Sequence, residues 1–171
     1  MDRLDHIAAQ WHRERPDLDV RPLVVLGRLF RAAQLAEREL AAGLAESELQ
    51  PGWFDLLAAL RRNGPPYELN PTELMHATLL SSGGITKRLD RLAEAGLVER
   101  RPDPNDRRGT LVRLTRRGRS VIDRLIAVHV ANEERLLQSL KPSERRALDD
   151  ALRSLLAGLE PGDELRRRPR S

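Results

Sequence analysis

The sequence predicts a mainly α-helical protein carrying one small β-hairpin, and three observations lead there. Apolar residues make up 40% of the 171 residues but aromatics only 3%, and Leu and Ala fill the apolar set, which favours helix over sheet. Those apolar residues recur at three- and four-residue spacing through most of the chain, the period of a helix with one buried face. Only residues 97–114 depart from that period. There, two short β-type runs flank Pro102-Asp103-Pro104-Asn105-Asp106, a cluster of turn formers.

The elements follow in order. Residues 2–14 place Leu4, Ile7, Ala8 and Trp11 on one side of a helix that Pro16 closes. A longer pattern runs from Val20 to Leu44 through Leu23, Leu26, Leu29, Phe30, Ala33, Ala36 and Leu40, and its length suits an arm or a dimer element. Leu49-Gln50-Pro51-Gly52 interrupts it, with Pro51 suited to a first helical position. The next helix spans 53–62 and ends at Asn63-Gly64-Pro65-Pro66. At Asn70-Pro71-Thr72-Glu73 Asn70 can cap, Pro71 takes the first position and Glu73 can reach back, so a short helix is expected to about Leu80. Ser81-Ser82 opens another, stopped by Gly96 as a left-handed cap. Two short helices joined by a tight turn make a helix-turn-helix unit. Strands are expected at 97–101 and 111–114. Thr115 caps a helix of about 116–140, Pro142-Ser143-Glu144 opens a last one to Leu159, and the charged tail 161–171 is expected to fray.

Charge narrows the function. Over the whole chain Lys and Arg exceed Asp and Glu by four, yet residues 81–119 alone hold eleven Lys and Arg against five acids. The positive charge is therefore concentrated in one segment, which is the footprint of a polyanion partner. Nearly all of it is Arg; only Lys87 and Lys141 are lysines. With no Cys in the sequence, disulfides, thiolate zinc sites and thiol redox switches are excluded. No run approaches the ~18 apolar residues of a membrane span and the N-terminus has no signal-like apolar stretch, so a cytoplasmic location is expected. His6, His12, His76 and His129 are scattered without metal-box spacing. No nucleophile elbow, phosphate-cradling loop or paired catalytic acids are legible. Neither an enzyme nor a resident cofactor is expected.

On a helical wheel Ile85, Leu89 and Leu92 share one face, while Lys87, Asp90, Arg91 and Glu94 lie opposite with Thr86 at the edge. If the apolar face packs on the preceding helix, Thr86, Lys87 and Arg91 face a DNA major groove. Ser81 and Ser82, with the backbone N–H groups of the first turn, then suit phosphate oxygens. A merely solvated charged face would give the same pattern. In the adjacent hairpin, Arg107 and Arg108 stand at the tip. Arg108 can enter a minor groove, oriented by Asp106 through a charge-assisted hydrogen bond; a solvent-exposed ion pair is the alternative.

Asp106-Arg107-Arg108-Gly109-Thr110-Leu111-Val112-Arg113-Leu114-Thr115 resembles the DxRxxxxxLT wing signature of the MarR family, and Gly96-Leu97-Val98-Glu99-Arg100 is similar to that family's recognition-helix exit. The resemblance in element order covers about Val20 to Leu159. It implies a winged helix-turn-helix fold in an intertwined homodimer, binding double-stranded DNA at a pseudo-palindromic operator, usually as a repressor. Residues 1–50 and 116–160 would form the helical dimerisation region and 51–115 the DNA-binding region, with Arg100 beside the DNA.

A second resemblance is narrower. The urate-responsive subgroup of that family has an added N-terminal helix bearing a Trp, an Asp on the helix before the helix-turn-helix and an Arg on the recognition helix. The matching positions are Trp11, Asp55 and Arg88, with Arg100 following. The resemblance implies a small-molecule effector, urate or another aromatic or carboxylate anion, that releases DNA. Arg88 borders the apolar face of its helix, so its guanidinium points inward and needs an acidic partner or an anion. Packing roles for all three residues, a ligand-independent architectural DNA binder and a helical protein-interaction adaptor remain alternatives.

Overall fold

The computed structural model describes residues 1–160 except 46, 48, 51, 79–83 and 105, and except the side chains of Arg107 and Arg108. Its elements are α1 (Arg3–Glu14), α2 (Arg21–Leu44), α3 (Trp53–Arg62), β1 (Glu68–Leu69), α4 (Pro71–His76), α5 (Ile85–Glu94), β2 (Val98–Asp103), β3 (Asp106–Leu114), α6 (Arg116–Leu137) and α7 (Pro142–Leu159). The described residues fall into two compact units, 1–132 and 133–160.

In the first unit the core is built around α3. Trp53, Phe54, Leu56, Leu57, Ala59 and Leu60 are all buried, so this helix is apolar on nearly every side and takes a central position. Leu74 of α4, Ile85, Leu89 and Leu92 of α5, Leu97, then Val98, Val112 and Leu114 of the sheet close over it, with Val121, Ile122 and Leu125 of α6. Each fully buried aliphatic side chain stabilises by ~1.5–3 kcal/mol, against ~0–1 for an exposed ion pair, so apolar burial is what seats α5.

The sheet is antiparallel in the order β1-β3-β2. Val98 pairs with Leu114 and Leu69 with Val112, which turns their side chains into the core. Between Pro102 and Asp103 the register breaks: Pro102 faces Thr110, but Asp103 faces Asp106. Residues 107–109 are left as a bulge at the tip. A Cβ on Gly109 would stand 2.9 Å from the Asp103 Cβ and 3.0 Å from the Asp106 Cβ, so the bulge closes only on glycine.

Several expectations need correction here. The strands extend further towards the tip than 97–101 and 111–114, through Pro102 and Asp103 on one side and from Asp106 on the other. Pro102 is tolerated because β2 is an edge strand and needs no ladder N–H at that position. β1 was not anticipated. The helix after Asn70 ends at His76, short of Leu80, although its capping box forms as expected: Glu73 N donates to Asn70 Oδ1 and Asn70 N to a Glu73 carboxylate oxygen. The next helix begins at Ile85, not at Ser81, because Gly84 adopts φ +88°, a left-handed conformation no helix passes through. Ser81 and Ser82 themselves lie outside the described residues, as do residues 161–171 of the tail. Gly96 is left-handed as expected (φ +67°), and α6 ends at Leu137.

α1 is held against α2 at its N-terminal end. Asp2 accepts from the backbone of Leu4 and Asp5, Asp2 N donates back to Asp5, and Arg28 of α2 donates to both carboxylates at 2.8 and 2.6 Å. Leu4 lies over Gly27, where a Cβ would come within 2.6 Å of its methyl. No residue of α2 is buried; Val25 and Phe30 are 65% and 67% exposed. Where α2 nears α6, Gly43 lies under the Asn132 amide.

In the second unit, Lys141 N donates to Glu144 at the start of α7 and Arg145 donates to Glu134 at 2.7 Å. α7 likewise buries no residue, and Leu156 and Leu159 are exposed. Among the described residues no helix is long and apolar enough to cross a membrane.

Candidate nucleic-acid interface and effector cavities

α5 presents two chemistries from one turn pattern. Ile85, Leu89 and Leu92 are buried, and Thr86, Lys87, Asp90, Arg91 and Glu94 are exposed, as the wheel predicts. The helix therefore offers Thr86, Lys87 and Arg91 outward from a fixed apolar seat. Its first intrahelical bond is Arg88 N to Gly84 O (3.0 Å), and no side chain caps the preceding N–H groups. The donors at its positive end thus belong to residues 84–87, and Ser81 and Ser82 lie outside the described residues.

The wing is locked to α5. Arg100 of β2 donates to Asp90 of α5 at 2.6 Å. Thr115 Oγ1 donates to the Gly96 carbonyl at 2.7 Å and accepts from Gly118 N at 2.9 Å, which caps α6 against the exit of α5. Arg117 donates to the Ala95 carbonyl at 2.8 Å. A Cβ on Gly118 would run into the Leu97 carbonyl oxygen. The backbone of Arg107 and Arg108 lies in the tip bulge, and Asp106 opens β3 opposite Asp103. The predicted DNA-facing residues that are described thus fall on two adjoining features, one helix and one hairpin.

The predicted effector residues fall in three places. Arg88 is half-buried; its guanidinium lies against Gly52 and Gly84, with Nε 3.0 Å from where a Gly52 Cβ would stand. It lines a cavity of about 330 Å³ with Gln50, Trp53, Gly84, Lys87 and Arg91. Asp55 lines a different, larger cavity of about 730 Å³, between the end of α2, the start of α3 and His129 of α6. Trp11 is 43% exposed on α1 and lines neither. Sequence reasoning missed Glu37, Gln50 and His129 as cavity residues. The His129 ring meets Phe54 in a tilted contact at 4.4 Å between ring centroids, but a lone His in a helix carries no local signal of that contact.

A helix seated by its apolar face beside a basic, glycine-closed hairpin defines a winged helix-turn-helix protein. The MarR family profile matches residues 47–109. The regulator PecS of Dickeya dadantii is 39% identical over 154 residues, covering 90% of each chain. Among solved structures, the DNA complex of Sco3205, a MarR family transcriptional regulator from Streptomyces coelicolor, is similar with a TM-score of 0.75 at 26% identity, over 85% of this chain and 92% of that one. Bordetella bronchiseptica BpsR, whose DNA binding is regulated by 6-hydroxynicotinic acid, is similar with a TM-score of 0.68 at 27% identity, over 77% and 91%. The chain belongs to the MarR family of transcription regulators.

Proposed function

We propose that the chain acts as a homodimeric, ligand-responsive transcription regulator, a repressor that binds a pseudo-palindromic operator and is released by a small aromatic or carboxylate anion such as urate. One observation carries the DNA-binding part: α5 is seated by Ile85, Leu89 and Leu92 while Thr86, Lys87 and Arg91 stand outward beside the basic wing. A major groove ~12 Å wide admits such a helix. Lys87 and Arg91 supply cations for guanine edges or phosphates, and the wing tip of Arg107 and Arg108, with Asp106, extends the contact to the neighbouring groove. Arg100, held by Asp90, lies at the join of helix and wing.

The effector part rests on the half-buried Arg88 and on the cavity beside Asp55. An anion that recruits Arg88 shifts α5, and whatever binds the released state better lowers operator affinity by its differential affinity. That the DNA binding of BpsR is regulated by 6-hydroxynicotinic acid supports the ligand class. Trp11, on the N-terminal helix, is proposed to close over the ligand once the partner protomer is in place. Operator affinity is to be titrated with and without urate in the parent chain and in Arg88→Ala. The parent releases DNA with urate and the variant, still folded and DNA-bound, does not. A fully responsive variant overturns the assignment of Arg88.

A further inference from the structure

The two cavities share a wall. Gln50 lines both: on one side with Lys87, Arg88 and Arg91 of α5, on the other with Asp55 and His129. Across that wall Arg91 donates to Gln50 Oε1 at 3.3 Å, joining a groove-facing residue of α5 to the connector between α2 and α3. Gly52, two residues on, carries φ +79° and lies flat against the Arg88 side chain. Gln50 is thus a wall residue shared by the larger cavity and the cavity beside the recognition helix.

We infer that Gln50 is the positioning residue through which occupancy of the larger cavity is transmitted to Arg91 on the recognition helix. This deepens the proposed effector response by naming its route. With the cavity empty, Gln50 Oε1 holds the Arg91 guanidinium and so limits the directions in which it can reach into a groove. A group filling the cavity presses on the connector, moves Gln50, and re-aims Arg91. Arg91 pairs with DNA through geometry as well as charge, so a shift of an ångström or two in its anchor changes affinity without any change in net charge.

The route can be tested without knowing the ligand, because a side chain can fill the cavity. Ala41 lines the larger cavity from α2 and does not line the smaller one. Operator affinity is measured by fluorescence anisotropy on a duplex selected from a random pool, for the full-length chain with and without Ala41→Phe, in the parent, Gln50→Ala and Gln50→Glu backgrounds. Ala41→Leu, a smaller filler, keeps the cycle readable if the Phe variant fails to fold. Filling is expected to weaken binding about fivefold or more in the parent, the low end of ordinary allosteric coupling. In Gln50→Ala the same filling is expected to cost less than about twofold, the size of an uncoupled pair. Gln50→Glu keeps an acceptor for Arg91 and restores the full loss, which a merely structural role for residue 50 would not do. Equal losses in the parent and Gln50→Ala backgrounds, or no loss from filling in the parent, overturn the inference. Urate titrated in parallel separates the two claims: if it fails to release the operator while the cycle behaves as expected, the effector identity falls and the route stands.

Discussion

Thr115 and Gly118 decide how the recognition helix meets the wing. Thr115 Oγ1 satisfies the Gly96 carbonyl and caps α6, so Thr115→Ala is expected to cost about 1 kcal/mol, as for other lost N-caps. Gly118→Ala is expected to cost about 1–3 kcal/mol or more, because its Cβ meets backbone rather than a flexible side chain. Denaturant midpoints at one protein concentration check both, and a neutral Gly118→Ala would contradict the close approach at Leu97. At the wing tip, Arg108→Ala is expected to weaken operator binding and to reduce the slope of log K against log salt by about one; an unchanged slope removes Arg108 from the interface. These positions differ in how readable they were. Thr115 follows a strand and precedes a helical pattern, a local signal. Gly118 sits one turn inside that helix, and only the tertiary approach of Leu97 shows why a side chain is excluded.

At the scale of elements, long helices with a continuous apolar period were legible, and short elements set by neighbours were not. α2, α3 and α7 match their patterns closely because a continuous apolar period sets a helix whether its apolar face is buried, as in α3, or left exposed, as in α2 and α7. β1 has two residues and exists because β3 offers it a free edge, which no local composition reveals. The start of α5 falls at Ile85 because Gly84 is left-handed, a backbone choice that Ser and Gly composition alone does not fix; Ser81 and Ser82 lie outside the described residues. Of the candidate site, the division of α5 into a buried face, an exposed basic face and a half-buried Arg88 was readable from the wheel. The cavities were not, because Gln50, Asp55 and His129 are brought together from three separate stretches. α1 supplies a further prediction. Beside Arg28, Asp2 is held well below the usual carboxylate range, to about 2. A carboxylate depressed on folding contributes above its ordinary range, near roughly 4, and that contribution is lost as pH falls towards the folded value. Docking of α1 is therefore expected to be insensitive to pH from neutrality down to about 4 and to weaken between about 4 and 2. Arg28→Ala is expected to reduce that dependence, the backbone bonds from Leu4 and Asp5 to Asp2 remaining, and to raise hydrogen exchange across residues 3–14 already at neutral pH. Exchange in residues 3–14 that matches the parent would show that Arg28 does not hold the helix.

At the scale of the whole molecule, α2 and α7 each leave large apolar side chains exposed. Val25, Phe30, Leu156 and Leu159 are each more than half exposed, on helices that bury no residue. Apolar surface of that extent marks an interface, and a pseudo-palindromic operator requires two reading heads. Sedimentation at micromolar concentration is expected to give a dimer, and Phe30→Glu to shift it towards monomer with loss of operator binding; a monomeric parent would contradict the dimer. Dimerisation, a seated α5 and a basic wing together make one claim: two recognition helices enter successive major grooves on one face of a duplex. Hydroxyl-radical footprinting of the parent chain on a duplex selected from a random pool tests that claim most directly. The account predicts an inverted repeat protected in two half-sites whose centres lie about one helical turn, ~10 base pairs, apart, with protection lost in Arg91→Ala. A single protected half-site, or protection without any sequence enrichment, would contradict it.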